Sequence, residues 1–97
     1  MEDRVSDSFI VTLLNRMPNE DVLEAYLKSR MSLILVETRV KMGLNKSNFA
    51  TLMGVTPATV SRWESGDCDL SISTIAHICS RIGVIPVLSF KEEGGDL

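Results

Sequence analysis

The sequence is short of the residues that build metal and redox sites. Its 97 residues include one histidine and two cysteines, Cys68 and Cys79, and no cluster of further ligands accompanies them. A structural zinc site needs about four such ligands held close together. We therefore expect no metal ion, and we interpret the cysteines as free thiols in a reducing compartment.

Arrangements typical of catalysis are missing as well. The sequence has no glycine-rich phosphate loop, no paired-carboxylate pattern, and no serine, histidine and aspartate set at a plausible spacing. His77 and Cys79 are two residues apart, so they point to different sides of a helix. We expect neither an enzyme nor a bound cofactor.

Long apolar runs and a large charge excess are also absent. No run reaches the roughly 18 residues of a membrane helix, and the acidic, polar N-terminus does not resemble a secretory signal, so we expect a cytoplasmic protein without a membrane partner. The longest apolar stretch, residues 31–36, is interpreted as a buried helix face. The net charge is −3, but residues 37–83 carry a net +1. This distribution predicts weak nonspecific affinity for nucleic acid and a reliance on dimerisation.

What the sequence does contain is a two-helix pattern that begins at Asn45. Asn45 can cap a helix over residues 46–53, because its side-chain oxygen accepts hydrogen bonds from unpaired backbone N–H groups. Gly54 then supplies a position where a positive φ carries no steric cost. The pattern predicts a tight turn directly after the first helix.

A second helix is predicted after this turn. Thr56 can cap it, and Pro57 fits its first position, where a missing N–H group is harmless. We expect the helix to run to about Glu64 and to be ended by Ser65 and Gly66. Three independent local rules therefore agree on a helix, a turn and a second helix.

Helices are also predicted before this pattern. An apolar stripe predicts a helix from residue 7 or 8 to Met17, which Pro18 ends. Residues 20–42 carry further helical stripes, and the sequence around Ser29 leaves one helix or two as alternatives.

One more helix is predicted after the pattern. Ser71 or Ser73 can cap it, and Gly83 can end it. The side chains expected to face the core are Ile72, Ile75, Ala76, Cys79 and Ile82.

Residues 84–90 differ in character from the rest of the chain. They are rich in β-branched and aromatic side chains, which predicts one strand. A lone strand is unstable, so we expect it to pair antiparallel with the same strand of a second copy across a two-fold axis. The alternative is an extended tail packed over the core. The residues assigned to the dimer strand are Val87, Leu88, Ser89 and Phe90.

Residues 31–84 resemble the lambdoid phage repressor and Cro family, also called the XRE-type helix-turn-helix family. The matching features are Arg39-x-x-x-Gly43-Leu44-Asn45-Lys46, Phe49-Ala50, Gly54-Val55-Thr56, Val60-Ser61-Arg62-Trp63-Glu64-x-Gly66 and Arg81-Ile82-Gly83-Val84. The resemblance implies an all-α, lambda-repressor-like DNA-binding domain. With the flanking segments we expect about five to six helices, an N-terminal helical extension over residues 1–30, and a short C-terminal β-strand and flexible tail over residues 85–97.

The resemblance also implies how DNA is bound. In the family, the second helix of the pattern lies in the major groove and its N-terminal side chains reach base edges. The positions that match base contacts are Pro57, Ala58, Ser61 and Arg62. The positions that match phosphate contacts are Lys46, Thr56 and Thr59. Arg62 is the strongest base reader, because its planar guanidinium matches two acceptors of guanine.

A salt bridge between Arg39 and Glu64 is a further feature that the resemblance implies, with two solvated charges as the alternative. The sequence also departs from the family. Pro57 and Ala58 replace the more usual polar readers, and a loop that is often basic is acidic here. Trp63 replaces an aliphatic residue, and we expect it to pack against the first helix rather than to stack on a base.

Two functions compete. The first is a sequence-specific DNA-binding transcriptional regulator, a dimeric repressor of antitoxin or prophage type, which binds a palindromic operator in double-stranded DNA and has a toxin as a candidate protein partner. The second is a protein–protein interaction adaptor that keeps the helix-turn-helix fold with weak or no DNA binding. The acidic balance of the chain motivates the second function.

Overall fold

A computed structural model of the chain describes residues 19–92 and 95–96. These residues contain four helices and one antiparallel pair of very short strands. The helices are α1 (Glu20–Lys41), α2 (Lys46–Met53), α3 (Pro57–Trp63) and α4 (Ile72–Ile82), and the strands are β1 (Lys91–Glu92) and β2 (Gly95–Asp96). No helix among the described residues is long and apolar enough to cross a membrane.

The chain divides into two compact units. The unit Tyr26–Pro86 contains most of α1 and all of α2, α3 and α4. The described residues 19–25, 87–92 and 95–96 belong to the other unit, whose regular structure is the start of α1 and the β1–β2 pair. The helix-turn-helix pattern therefore lies within one unit.

Residues 20–41 form one continuous helix rather than two. At its N-terminal end, the Asn19 side-chain oxygen accepts a hydrogen bond from the backbone N–H of Val22 at 2.9 Å. Glu20 and Asp21 lie in the first turn, where negative charge interacts favourably with the helix dipole. The helix ends before Gly43, whose φ of 74° is in the left-handed region that glycine adopts without strain.

The predicted helix, turn and helix are confirmed in α2 and α3. The Asn45 side chain accepts from the backbone N–H of Asn48 at 2.8 Å, so it caps α2 as expected. Gly54 has a φ of 75° and starts the turn. Thr56 then caps α3 by accepting from the backbone N–H of Thr59 at 3.1 Å.

The core of the Tyr26–Pro86 unit is small and mostly aliphatic. Half-buried apolar side chains, Leu44 and Val55 among them, pack around it. α2 contributes three buried residues at helical spacing, which fixes the rotation of the helix about its own axis. The buried members of the core are Leu35, Phe49, Ala50, Met53, Val60, Trp63 and Ile78.

The buried face of α4 differs from the prediction. Ile72 and Ala76 were expected to face inward, but both are exposed, Ile72 by 77%, while Ile78, outside the predicted set, is 3% exposed. The prediction for Ile72 is wrong because residues 71–73 at the start of α4 are all exposed. The core contact begins further along the helix.

The prediction that residues 31–36 form a buried helix face is also wrong in part. Only Ser32 and Leu35 in this stretch are buried, while Leu33 and Ile34 are exposed. A helix turns by about 100° per residue, so six consecutive residues surround the helix and cannot all face one side.

The strand predicted for residues 84–90 is not supported. The backbone N–H of Val84 completes the end of α4 by donating to the Cys79 carbonyl at 3.0 Å, and residues 85–90 belong to no strand. A strand needs a partner to form, and the described residues offer none to this segment. Its four apolar side chains, Ile85, Val87, Leu88 and Phe90, are 78–89% exposed.

The helix count also differs from expectation. The described part of the chain contains four helices, so the expected five to six helices are not supported. The N-terminal helix predicted to end at Met17 lies outside the described residues.

Candidate nucleic-acid interface

α3 has one buried side and one exposed side. Val60 and Trp63 are buried in the core, while Pro57, Ala58, Ser61 and Arg62 are exposed. Residues three and four apart lie on the same side of a helix, so these four side chains form one surface, which we call the α3 face. The four residues assigned to base contacts are therefore brought together.

The N-terminal end of α3 carries two threonine hydroxyls in contact. Thr56 Oγ1 caps the helix by accepting from the Thr59 N–H, and the two hydroxyl oxygens are 2.9 Å apart. One hydroxyl therefore donates to the other, which leaves one O–H group free to donate outward. Thr56 is exposed and Thr59 is half-buried, so the pair can offer one hydroxyl donor to a phosphate.

Lys46 links α2 to the α3 face. Its Nζ atom donates to Ser61 Oγ at 3.4 Å, which is a long and therefore weak hydrogen bond. Both residues are exposed. The contact places a cation beside the residues assigned to base contacts, and an exposed ammonium group of this kind can bind an anion.

Arg39 fastens the C-terminal end of α3 to α1. Its Nε donates to Glu64 Oε2 at 2.8 Å and its Nη2 to Glu64 Oε1 at 3.1 Å, a two-point contact. Its Nη1 also donates to the Leu44 carbonyl at 3.0 Å, so the chain between α1 and α2 joins the same network. The side chains of Arg39 and Glu64 are 14% and 5% exposed.

The hydrogen bond with Glu64 raises the pKa of the Arg39 guanidinium above its ordinary value, although partial burial opposes this shift. A raised pKa in the folded state means that the Arg39 charge contributes its full stabilisation at neutral pH, and this contribution is lost as the pH rises through the raised pKa. The Arg39 side of the bridge is therefore charged throughout the pH range of ordinary experiments.

Trp63 lies away from the α3 face. It is 6% exposed and belongs to the same core cluster as Leu35 of α1. Its indole therefore packs α3 against the core, on the side of the helix away from the α3 face.

The loop after α3 is acidic on its exposed side. Asp67 and Asp69 are exposed, whereas Cys68 between them is half-buried against the core. Ser65 Oγ donates to the Arg62 carbonyl at 2.8 Å and accepts from the Asp67 N–H at 3.2 Å, which orders the start of the loop. Two exposed carboxylates here disfavour a phosphate contact by this loop.

His77 has a structural partner that sequence reasoning missed. Its Nε2 atom lies 2.7 Å from the Met53 carbonyl oxygen, at the C-terminal end of α2. The two residues are 24 positions apart, so no local pattern could have paired them. Within the described residues, no group of three or more potential ligands could hold a metal ion.

Comparison with known proteins adds one finding. A protein-family model described as helix-turn-helix matches residues 35–87, which is more than half of the chain. The match runs from the second half of α1 to beyond α4 and contains the whole α3 face. Among curated proteins, no significant match to the chain is found.

Proposed function

Because the chain belongs to the XRE-type helix-turn-helix family of DNA-binding regulators, we propose that it is a sequence-specific transcriptional regulator and acts as a dimeric repressor of antitoxin or prophage type. Members of this family are typically not enzymes. The proposed site of action is the cytoplasm, on a palindromic operator in double-stranded DNA.

The observation that carries this proposal is the combination of an exposed α3 face and a rigidly held α3 helix. Buried Val60 and Trp63 anchor the helix from behind, and Arg39 anchors its C-terminal end through Glu64. A helix fixed in this way presents its exposed side chains to a groove with little loss of conformational freedom on binding.

Each exposed side chain has a chemical role in the proposed complex. Arg62 donates two hydrogen bonds to the O6 and N7 atoms of a guanine, and Ala58 contacts a thymine methyl group. Lys46 and the Thr56–Thr59 hydroxyl pair bind phosphates at the groove edge, since such contacts set register on the duplex. Ser61, which contacts Lys46, can hydrogen-bond to a base or a phosphate.

We infer dimerisation because one copy offers few side chains that can hydrogen-bond to base edges. Arg62 is the one charged base reader on the α3 face, because Pro57 and Ala58 offer no side-chain hydrogen bond. Two copies on a palindrome would double these contacts, with the two α3 helices about 34 Å apart, one turn of DNA.

The exposed apolar segment Ile85–Phe90 supports the proposal that the protein binds a protein partner. Large apolar side chains that are 78–89% exposed are costly to leave in water. In the proposal, Val87, Leu88, Ser89 and Phe90 make a contact either with a second copy or with a toxin.

The experiment is a gel shift with the DNA upstream of the protein's own gene, at low salt and micromolar protein. We expect a shift with the wild type. Arg62→Ala should weaken it by roughly 5-fold to 150-fold per operator half-site, because one bidentate arginine–guanine contact is worth about 1–3 kcal/mol.

Arg81→Ala is the matched control. It removes the same charge from an exposed position on α4, outside the α3 face, and should leave the shift within about twofold. Absence of any shift with the wild type at low salt would contradict the proposal and favour the adaptor function. Equal affinity of Arg62→Ala and wild type would contradict the assignment of α3 as the reading helix.

A further inference from the structure

α1 exposes apolar side chains that the core does not use. Leu27, Leu33, Ile34 and Val40 are 44–61% exposed, although all lie within the Tyr26–Pro86 unit. The buried residues of α1 are Ser32 and Leu35, on the side of the helix that faces the core. We call the opposite side, over residues 26–41, the outer face of α1. A face of this kind is typical of a helix that packs against another protein surface.

Two charged residues, Arg30 and Glu37, lie in the middle of this outer face. They are seven residues apart, or nearly two helical turns, so both point the same way while their backbones are separated by about 10 Å along the axis. Within the described residues, neither side chain makes an ion pair or a hydrogen bond. One positive and one negative group thus form no ion pair within the described residues.

We propose that residues 26–41 of α1 pack antiparallel against the same residues of a second copy, across a two-fold axis that passes between Leu33 and Ile34. In this register Arg30 of each copy lies opposite Glu37 of the other. The two-fold axis repeats the pair, so one interface contains two ion pairs.

The same register also matches the apolar side chains. Leu27 lies opposite Val40 of the second copy, and Leu33 lies opposite Ile34. At the two ends, the Tyr26 ring lies opposite the Lys41 ammonium group, which an aromatic face attracts. Each of these contacts occurs twice, so eight exposed apolar side chains are covered in one symmetric interface.

Charge selects the antiparallel orientation. A parallel pair in register would place Arg30 against Arg30 and Glu37 against Glu37, and like charges across an interface are strongly disfavoured. Charge also selects the register, because a shift of three or four residues in either direction separates Glu37 from Arg30 of the second copy and, in three of the four cases, places it opposite Leu27, Leu33 or Ile34. A carboxylate covered by an apolar side chain loses its water without gaining a partner.

This interface supplies the dimer that the proposed repressor requires and leaves the α3 face free. None of its residues belongs to the set assigned to DNA. The inference rests on the proposed function only for the use of the dimer, and its test needs no DNA.

The test is sedimentation velocity of the full chain, with Arg30→Glu, Glu37→Arg and the double variant that carries both changes. Each single variant places like charges opposite each other twice, so we expect the dimer dissociation constant to rise at least about tenfold. The double variant restores opposite charges with reversed sign, and we expect its dissociation constant to return to within about threefold of wild type.

Circular dichroism of each variant serves as the folding control, since positions 30 and 37 are not fully buried. Arg62→Ala should dimerise as the wild type does while its gel shift weakens, which separates failure of this inference from failure of DNA binding. Three results would overturn the inference. The first is that the single variants dimerise as the wild type does. The second is that the wild type stays monomeric both at high concentration and after 100-fold dilution, and the third is that only Leu88→Asp disrupts the dimer.

Discussion

Arg39 connects three parts of the Tyr26–Pro86 unit: α1, the segment between α1 and α2, and the C-terminal end of α3. Its guanidinium reaches Glu64 at the end of α3 and the Leu44 carbonyl between α1 and α2. Because the Glu64 side chain is 5% exposed, removing Arg39 would leave a carboxylate with little access to water. The C-terminal end of α3 is thus held by one side chain outside that helix, in addition to its own buried Val60 and Trp63.

This dependence gives a prediction for stability. Arg39→Met should lower the free energy of unfolding by about 3 kcal/mol, because breaking a buried pair from one side leaves an unpaired charge. Urea denaturation followed by circular dichroism measures the change.

Arg81→Met makes the same substitution at an exposed position in the last turn of α4, where a positive charge interacts with the helix dipole. We expect it to cost at most about 1 kcal/mol. Equal losses in the two variants would show that Arg39 and Glu64 behave as two solvated charges.

For individual residues, the sequence predicts those contacts that follow from local rules or from the family resemblance. The Asn45 and Thr56 caps follow from neighbouring residues, and the pairing of Arg39 with Glu64 followed from the resemblance. The contacts of Lys46 with Ser61 and of His77 with the Met53 carbonyl join residues 15 and 24 positions apart. They depend on how α2 packs on α3 and α4, which no local pattern contains.

α4 offers a matched test of burial within one element. Ile78 and Ile72 are the same residue type on the same helix, but their exposed fractions are 3% and 77%. Ile78→Ala should destabilise the protein by about 2–5 kcal/mol, since it removes buried methyl groups and leaves a cavity.

Ile72→Ala should change the unfolding free energy by no more than about 0.5 kcal/mol, because its side chain is in water in both states. Thermal denaturation of the two variants and the wild type measures the difference. Similar destabilisation by Ile72→Ala and Ile78→Ala would mean that the Ile72 side chain is buried against another surface in solution.

The elements also show where sequence periodicity stops being informative. It gave the limits of α2, α3 and α4 closely, because caps and glycines mark them. It predicted the wrong buried side for the start of α4 and for residues 31–36. An apolar stripe shows which residues share one side of a helix, but it does not show which part of that side contacts the core. Residues 84–90 have the composition of a strand, but a strand also requires a neighbour.

The charge of the whole molecule limits how DNA can be bound. The chain carries −3 overall, and the exposed cations at the proposed interface are Lys46 and Arg62. A dimer would therefore bring about four cations to the DNA. We expect the logarithm of operator affinity to fall with the logarithm of salt concentration with a slope no steeper than about −4.

Lys46→Ala should make this slope shallower by about 2, since it removes two phosphate contacts from the dimer. Lys91→Ala, at an exposed position on β1, is the control and should leave the slope unchanged. Fluorescence anisotropy at salt concentrations of about 50 to 200 mM measures the slopes of both variants. A slope near −8 would mean that cations outside the α3 face also contact phosphates.

Trp63 gives the molecule an optical property of its own. It is the single tryptophan of the chain, it is nearly enclosed by the core, and it is next in sequence to Arg62. Its emission in the folded protein therefore comes from an apolar environment and shifts to longer wavelength when water enters. The intrinsic fluorescence of Trp63 thus reports, without an attached label, whether the helix that carries Arg62 is still packed on the core. It does so whether or not DNA is present.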